Sequence, residues 1–156
     1  MERKYNKIEH IELLKKKKSC EISEYDSQKC LDYSILTNCH LDWCIRENYL
    51  EILEDFQKGK INTVKFCVDI NNIGNLTNDV IEIFESNFII LSPNKKALDF
   101  CDLLEEVFDL CEDYLVDLQF IDSTVNSSEL EKYETEFKNS LEKIYLKIQN
   151  FLNFNV

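Results

Sequence analysis

From Ser92 to Leu115 this chain combines two kinds of position at helical spacing. Ser92 and Pro93 open the stretch: a hydroxyl able to cap free backbone N–H groups, then a residue suited to the first helical turn. Ala97, Cys101, Leu104, Phe108, Cys111 and Leu115 then recur at intervals of four and three, the period of one buried stripe. Leu103, Val107, Leu110 and Tyr114 widen that stripe beyond a narrow seam. Most of the other positions are carboxylates: Asp99, Asp102, Glu105, Glu106, Asp109, Glu112 and Asp113. No basic residue follows Lys96 until Lys132. The spacing predicts a core helix whose outward face is acidic.

Helical patterns surround it. Trp43, Ile45, Tyr49, Leu50, Ile52, Leu53 and Phe56 mark an amphipathic helix that ends in Lys58-Gly59-Lys60, with Gly59 placed as a left-handed C′ residue. A second helix, capped by Asn62 or Thr63, carries Val64, Phe66, Cys67 and Ile70. The pattern predicts that Gly74-Asn75 interrupts it and that Thr77-Asn78-Asp79 recaps a shorter segment. Phe88-Ile89-Ile90-Leu91 has strand character but no partner strand, and reads as an apolar loop over the core. The organising helix extends to about Leu115, and the pattern lapses between Val116 and Asn126. Ser127 or Ser128 then caps a long last helix, Ser128 and Glu131 forming a capping box. Its buried positions are Leu130, Phe137, Leu141, Ile144, Ile148 and Phe151, and residues 152–156 fray or pack as a short tail. The resulting expectation is an all-α chain: an antiparallel four-helix bundle over residues 47–156 behind an irregular N-terminal extension, residues 1–46, poorly structured or loosely packed.

Charge divides the chain at the same place. Residues 1–46 carry nine Lys/Arg against eight Asp/Glu, whereas residues 47–156 carry nine against twenty-two. The net charge of −12 disfavours direct contact with nucleic acid or an anionic membrane, and favours a basic partner or simply a solvated acidic surface with no partner. No apolar run reaches bilayer-spanning length. The Lys15–Lys18 run follows the apolar residues before it, and Glu2, Glu9 and Glu12 are out of place in a transit peptide, so no targeting segment is expected. Ala occurs once and Gly twice beside abundant Asn, Lys and Ile, as an AT-rich coding genome would produce. The expected location is cytoplasmic, or the plastid stroma if the chain is organelle-encoded.

Catalytic constellations are not expected. The only histidines, His10 and His40, lie outside the regular helical patterns, there is no Glu-x-x-His, and neither glycine belongs to a phosphate-binding loop. Cys20, Cys30, Cys39, His40 and Cys44 form a conceivable metal set. The cysteines are separated by gaps of nine, eight and four intervening residues, without the C-x-x-C turn that aims two thiolates at one zinc ion. The seven cysteines read as small apolar residues, those at 67, 101 and 111 inside the core. No cofactor, metal or enzymatic activity is expected.

From Tyr49 to about Leu152 the chain resembles the colicin D immunity protein family. The resemblance rests on Leu53-Glu54-Asp55-Phe56-Gln57-Lys58-Gly59-Lys60-Ile61-Asn62-Thr63-Val64-Lys65-Phe66, on Leu91-Ser92-Pro93-Asn94, and on Ser140-Leu141-Glu142-Lys143 near the end. It implies a small acidic helical bundle that inhibits a toxin cutting the anticodon loop of arginine tRNAs. In that family, acidic side chains stand in the toxin's basic cleft where tRNA phosphates would lie. Residues 1–46 have no counterpart in short family members, and the joints at 71–91 and 116–127 differ. The partner-binding expectation therefore falls, on exposure and charge, on Asp99, Asp102, Glu105, Glu106, Asp109, Glu112 and Asp113. The alternative is an organellar helical protein that uses the same face for another basic partner.

Overall fold

The structure, a computed structural model, describes residues 5–120 and 127–155. Among them are six α-helices and no strand: α1 (Lys7–Lys18), α2 (Glu24–Cys44), α3 (Arg46–Gln57), α4 (Thr63–Ser86), α5 (Lys95–Phe120) and α6 (Ser127–Asn155). None is long and apolar enough to cross a membrane. The chain forms two compact units, Met1–Ile45 with Gly74–Asp99, and Arg46–Ile73 with Phe100–Val156, so α4 and α5 each contribute to both.

Helix ends are fixed by identifiable caps. Asn6 begins α1, its side-chain oxygen accepting from the amides of Ile8 and Glu9, and Ser23 begins α2 by accepting from Asp26. Asn62 accepts from Lys65 at the start of α4. At α5 the cap is Asn94, accepting from Ala97 at 2.9 Å, so the helix opens after the expected Ser92-Pro93 pair. α6 already includes Ser127, which places Ser128 within the helix instead of at the predicted capping box. Part of the predicted lapse at 116–126 is also helical, through Phe120, while residues 121–126 lie outside the described residues. The segment expected to fray or pack as a short tail continues α6 to Asn155, and Val156 lies outside the described residues.

Three helices end in the same way. Gly59, at φ +71°, donates to Phe56 while Lys60 donates to Asp55, the paired bonds of a Schellman motif. Cys20 (φ 59°) and Phe88 (φ 55°) hold the equivalent place after α1 and α4, with Glu21 donating to Lys16 and Ile89 to Phe84. A side chain in this left-handed region costs about 1–2 kcal/mol, which glycine avoids.

The first unit corrects the expectation of an irregular extension. α1 and α2 run antiparallel, Lys16 pairing with Asp26 at 3.0 Å and Tyr33 donating to Glu9 at 2.6 Å. Between them Leu13, Leu14, Cys30, Tyr33 and Leu36 are buried together with Ile90, from the apolar segment after α4. The predicted break in α4 is also absent. The helix continues through Gly74, and Thr77 is buried with its hydroxyl donating to the Gly74 carbonyl at 2.8 Å. A glycine inside a helix costs only about 1 kcal/mol, a penalty that burial of Thr77 and Ile81 can offset.

The second unit centres on Phe137 of α6. Its ring lies 5.9 Å from Phe56 of α3, 6.0 Å from Phe66 of α4 and 5.0 Å from Tyr114 of α5, all at tilted or edge-on angles. α5 runs antiparallel to α6: Tyr114 meets Phe137, Glu106 meets Lys147, and Phe100 meets Phe151. Leu141, Ile144 and Ile148 are buried as expected, whereas Leu130 is exposed and Phe151 half-buried. Along α5 the buried stripe is Ala97, Phe100, Leu104, Val107, Cys111 and Tyr114. The predicted Cys101, Phe108 and Leu115 lie at its margin, half-buried. Both series have helical period, and the larger ring of Phe100 and the flanking Val107 and Tyr114 set the true centre.

Phe137→Ala is expected to destabilise the protein by about 3–5 kcal/mol in urea unfolding, and Phe108→Ala by clearly less. Cys20→Gly relieves a left-handed side chain at an exposed position and should raise stability by roughly 0.5–1 kcal/mol, net of the entropy glycine adds to the unfolded chain.

Candidate functional site

α5 turns one face inward because its apolar residues recur every three or four positions, and the same geometry turns its acids outward. Asp99, Asp102, Glu105, Asp109, Glu112 and Asp113 are all exposed, as is Asp117 beyond them. At 3.6 residues per turn they fall within an arc of roughly 140°, with the buried stripe on the opposite side. The seventh expected residue, Glu106, is half-buried and differs in its bonding. Lys147 of α6 donates to its carboxylate at 2.6 Å. Among the described residues the other six predicted acids have no ion-pair partner.

This face is electrostatically unfavourable in the isolated chain. Asp102 and Glu106, Glu105 and Asp109, and Asp109 and Asp113 are each four residues apart, and such like-charge pairs cost roughly 0.2–0.5 kcal/mol each in a helix. Lys147 relieves the repulsion at Glu106 alone. Positive groups from another molecule would relieve the rest. The arrangement can therefore attract a cationic surface and accept charge-assisted hydrogen bonds from it.

Sequence reasoning missed a second cluster, in the first unit. His10 is 0% exposed, with Nε2 3.2 Å from a carboxylate oxygen of Glu85 and Nδ1 sharing a 3.2 Å hydrogen bond with the Tyr5 hydroxyl. Tyr33 and Tyr5 also pack against its ring. Burial, and then the nearby Glu85 charge, push the Tyr5 phenol up from 10.0 to about 12. Beside it, hydrogen bonds from Lys29 and then Tyr33 hold the Glu9 carboxyl below its ordinary value. The available signal was the spacing of His10 with Leu13 and Leu14, which places all three on one side of a helix.

The remaining candidate ligands are dispersed. Cys30 and Cys39 are buried on α2 and Cys20 and Cys44 are exposed, and no three His, Cys, Asp or Glu side chains converge among the described residues. Of the three cysteines expected in the core, Cys67 and Cys111 are buried and Cys101 is half-buried. A groove of about 700 Å³ opens beside the α3–α4 turn, between Lys60 and Thr63 on one side and Glu134, Lys138 and Glu142 of α6 on the other. Lys60 is already paired with Asp55 at 2.6 Å, and Asn62 is occupied by its capping bond.

Comparison of the chain with protein-family models, with curated proteins and with solved structures found no match.

Because the folded Tyr5 phenol keeps its proton while an unfolded one loses it, stability should be fully present below pH 10 and decline as pH rises through about 12. Tyr5→Phe should reduce that alkaline loss without abolishing it, since Tyr33 and Tyr114 are also shifted upward by burial. Urea midpoints measured across this range, with phenolate absorbance recorded in parallel, check the prediction.

Proposed function

We propose that this protein is an inhibitor of a basic nuclease, of the colicin D immunity type, and that it acts through the outer face of α5. The observation that carries the reading is the row of exposed carboxylates at Asp102, Glu105, Asp109 and Asp113 that lack ion-pair partners within the described chain. Asp99 and Glu112 extend the same face, and Glu106 takes part through its pairing with Lys147. A cleft shaped to hold tRNA phosphates presents Lys, Arg or His side chains at intervals, and a rigid carboxylate ladder can occupy it in place of the phosphates. We read α3, the first half of α4, most of α5 and α6 as the antiparallel four-helix bundle that the family resemblance implies. In this reading the bundle's role is to hold the acidic ladder straight and immobile, so that little side-chain or backbone ordering is required on binding.

Long-range attraction between a strongly acidic inhibitor and a basic cleft accelerates encounter, and salt screens it over about 10 Å at 0.1 M. The test is co-expression with a colicin-D-type tRNase domain, scored by cell survival and intact arginine tRNA. The wild-type chain should protect. The variant carrying Asp102→Asn, Glu105→Gln, Asp109→Asn and Asp113→Asn should fold normally, associate about tenfold or more slowly at low salt, and fail to protect. Equal protection by that variant would refute the assignment of the face. Absence of protection by the folded wild-type chain would refute this nuclease class as the target.

A further inference from the structure

Glu85, near the end of α4, belongs to the first unit together with α1 and α2. Its Oε1 and the Nε2 of His10 are both buried and 3.2 Å apart, yet neither atom has a hydrogen bond among the described residues. On the other side of the ring, Nδ1 shares its 3.2 Å hydrogen bond with the Tyr5 hydroxyl. The rings of Tyr5, before α1, and Tyr33, on α2, lie 5.9 and 5.4 Å from the imidazole between centroids. Tyr33 donates to Glu9, which is paired with Lys29, so those two charges offset each other. Cys30 is the titratable side chain in the adjoining core, and Leu13, Leu14, Leu36, Ile90 and Leu98 packed with it are apolar. Among the described residues, Glu85 is the charged group that faces the ring.

We propose that His10 and Glu85 form a proton-operated clasp that fastens α1 to α4. While the ring carries a proton on both nitrogens, Nε2–H meets the Glu85 carboxylate as an ion pair and Nδ1–H donates to the Tyr5 oxygen. The terminal torsion of a glutamate is broad, so the carboxylate can turn onto Nε2–H without leaving its place. When the ring gives up one proton, the Tyr5 hydroxyl turns to donate to Nδ1. Glu85, its side chain 11% exposed, is then a largely buried carboxylate beside a neutral ring. Tyr5 keeps its own proton throughout, because burial, and then the Glu85 charge, push its phenol up to about 12. The clasp is therefore fully present while the ring is charged and is lost as rising pH removes that charge in the folded chain. An apolar pair would fill the same space without burying charge. What the ionisable pair adds is a response to protons in the range where imidazole works as a switch.

The element that the clasp releases is α1. It has 12 residues, and a helix of that length is marginal by itself in water. Its buried side chains are His10, Leu13 and Leu14. Its ion pairs to α2, Glu9 with Lys29 and Lys16 with Asp26, are partly exposed and worth little. Loss of the clasp lets α1 leave the core and bare Leu13 and Leu14, a pH-gated opening confined to the first unit.

The test is amide exchange followed by NMR on the full chain across about pH 5–8, with each rate divided by the intrinsic rate at that pH. Protection of Leu13 and Leu14 is expected to fall about tenfold from the acid to the alkaline end, while Leu141, in the second unit, does not follow. In the same samples the His10 ring nitrogens should report two protons at the acid end and one at the alkaline end. Glu85→Gln, which keeps the side chain's size and removes its charge, should abolish the pH-dependence. Protection of α1 that stays constant or rises with pH would overturn the proposal, as would a His10 ring that is neutral throughout. So would a pH-dependence that survives Glu85→Gln, which would move it to another group such as His40. The ring signals and the direction of the protection change are read in the unaltered chain, so the proposal is tested even if the variant does not fold.

Discussion

Phe137 is the contact on which the second unit depends. A single ring on α6 is enclosed by Phe56, Phe66 and Tyr114, each from a different helix, so removing it withdraws a shared partner from three elements at once. Aromatic rings in edge-on or tilted contact gain from complementary faces and edges as well as from buried area. They also fix relative rotation, because a ring packed on several sides cannot turn without a clash. For α5 this rotational constraint matters most. With Tyr114 held against Phe137 and Phe100 stacked on Phe151, the apolar stripe must face inward and the carboxylates must face solvent.

The first unit is held differently. Its core of Leu13, Leu14, Cys30, Tyr33, Leu36 and Ile90 meets polar side chains at Tyr33, which packs against the His10 ring and donates to Glu9. His10 is buried between Glu85 and Tyr5: Nδ1 shares a hydrogen bond with the Tyr5 hydroxyl, while Nε2 lies 3.2 Å from the Glu85 carboxylate without forming a hydrogen bond among the described residues. Glu9 is similarly tied to Lys29 and Tyr33, which registers α1 against α2. Hydrogen-bonded polar contacts of this kind add modest net stability.

The contrast between the units explains what the sequence made legible. In α5 and α6 the apolar residues are large and regularly spaced, so the helices, the acidic face and most of the buried positions can be read directly. The centre of the α5 stripe was misplaced by one position because Cys101, Phe108 and Leu115 have the same period as Phe100, Val107 and Tyr114. In α2 the buried face is made of Cys30, Tyr33, Leu36, Thr37, Cys39 and Asp42, with Leu36 its single large aliphatic residue, while Leu31 and Ile35 are 53% and 43% exposed. Hydrophobic periodicity there is cancelled by its own exceptions. Gly59 was legible as a helix stop because its left-handed backbone favours glycine, whereas Cys20 and Phe88 adopt the same conformation without that signal. The acidic face was predicted as a patch, and only the structure separates Glu106, paired with Lys147, from the six acids that have no ion-pair partner among the described residues.

Taken together, an aromatic knot orients a helix whose inner face supplies stability and whose outer face accumulates repulsion. That repulsion is a cost to the free protein and a source of affinity for a cationic partner, since binding removes it. Footprinting the contact by NMR would test this directly. On addition of a colicin-D-type tRNase domain at low salt, the amides of Asp102, Glu105, Asp109 and Asp113 should shift together, and added salt should reverse the shifts. Shifts confined to α1 and α2, with α5 undisturbed in a demonstrated complex, would contradict the account.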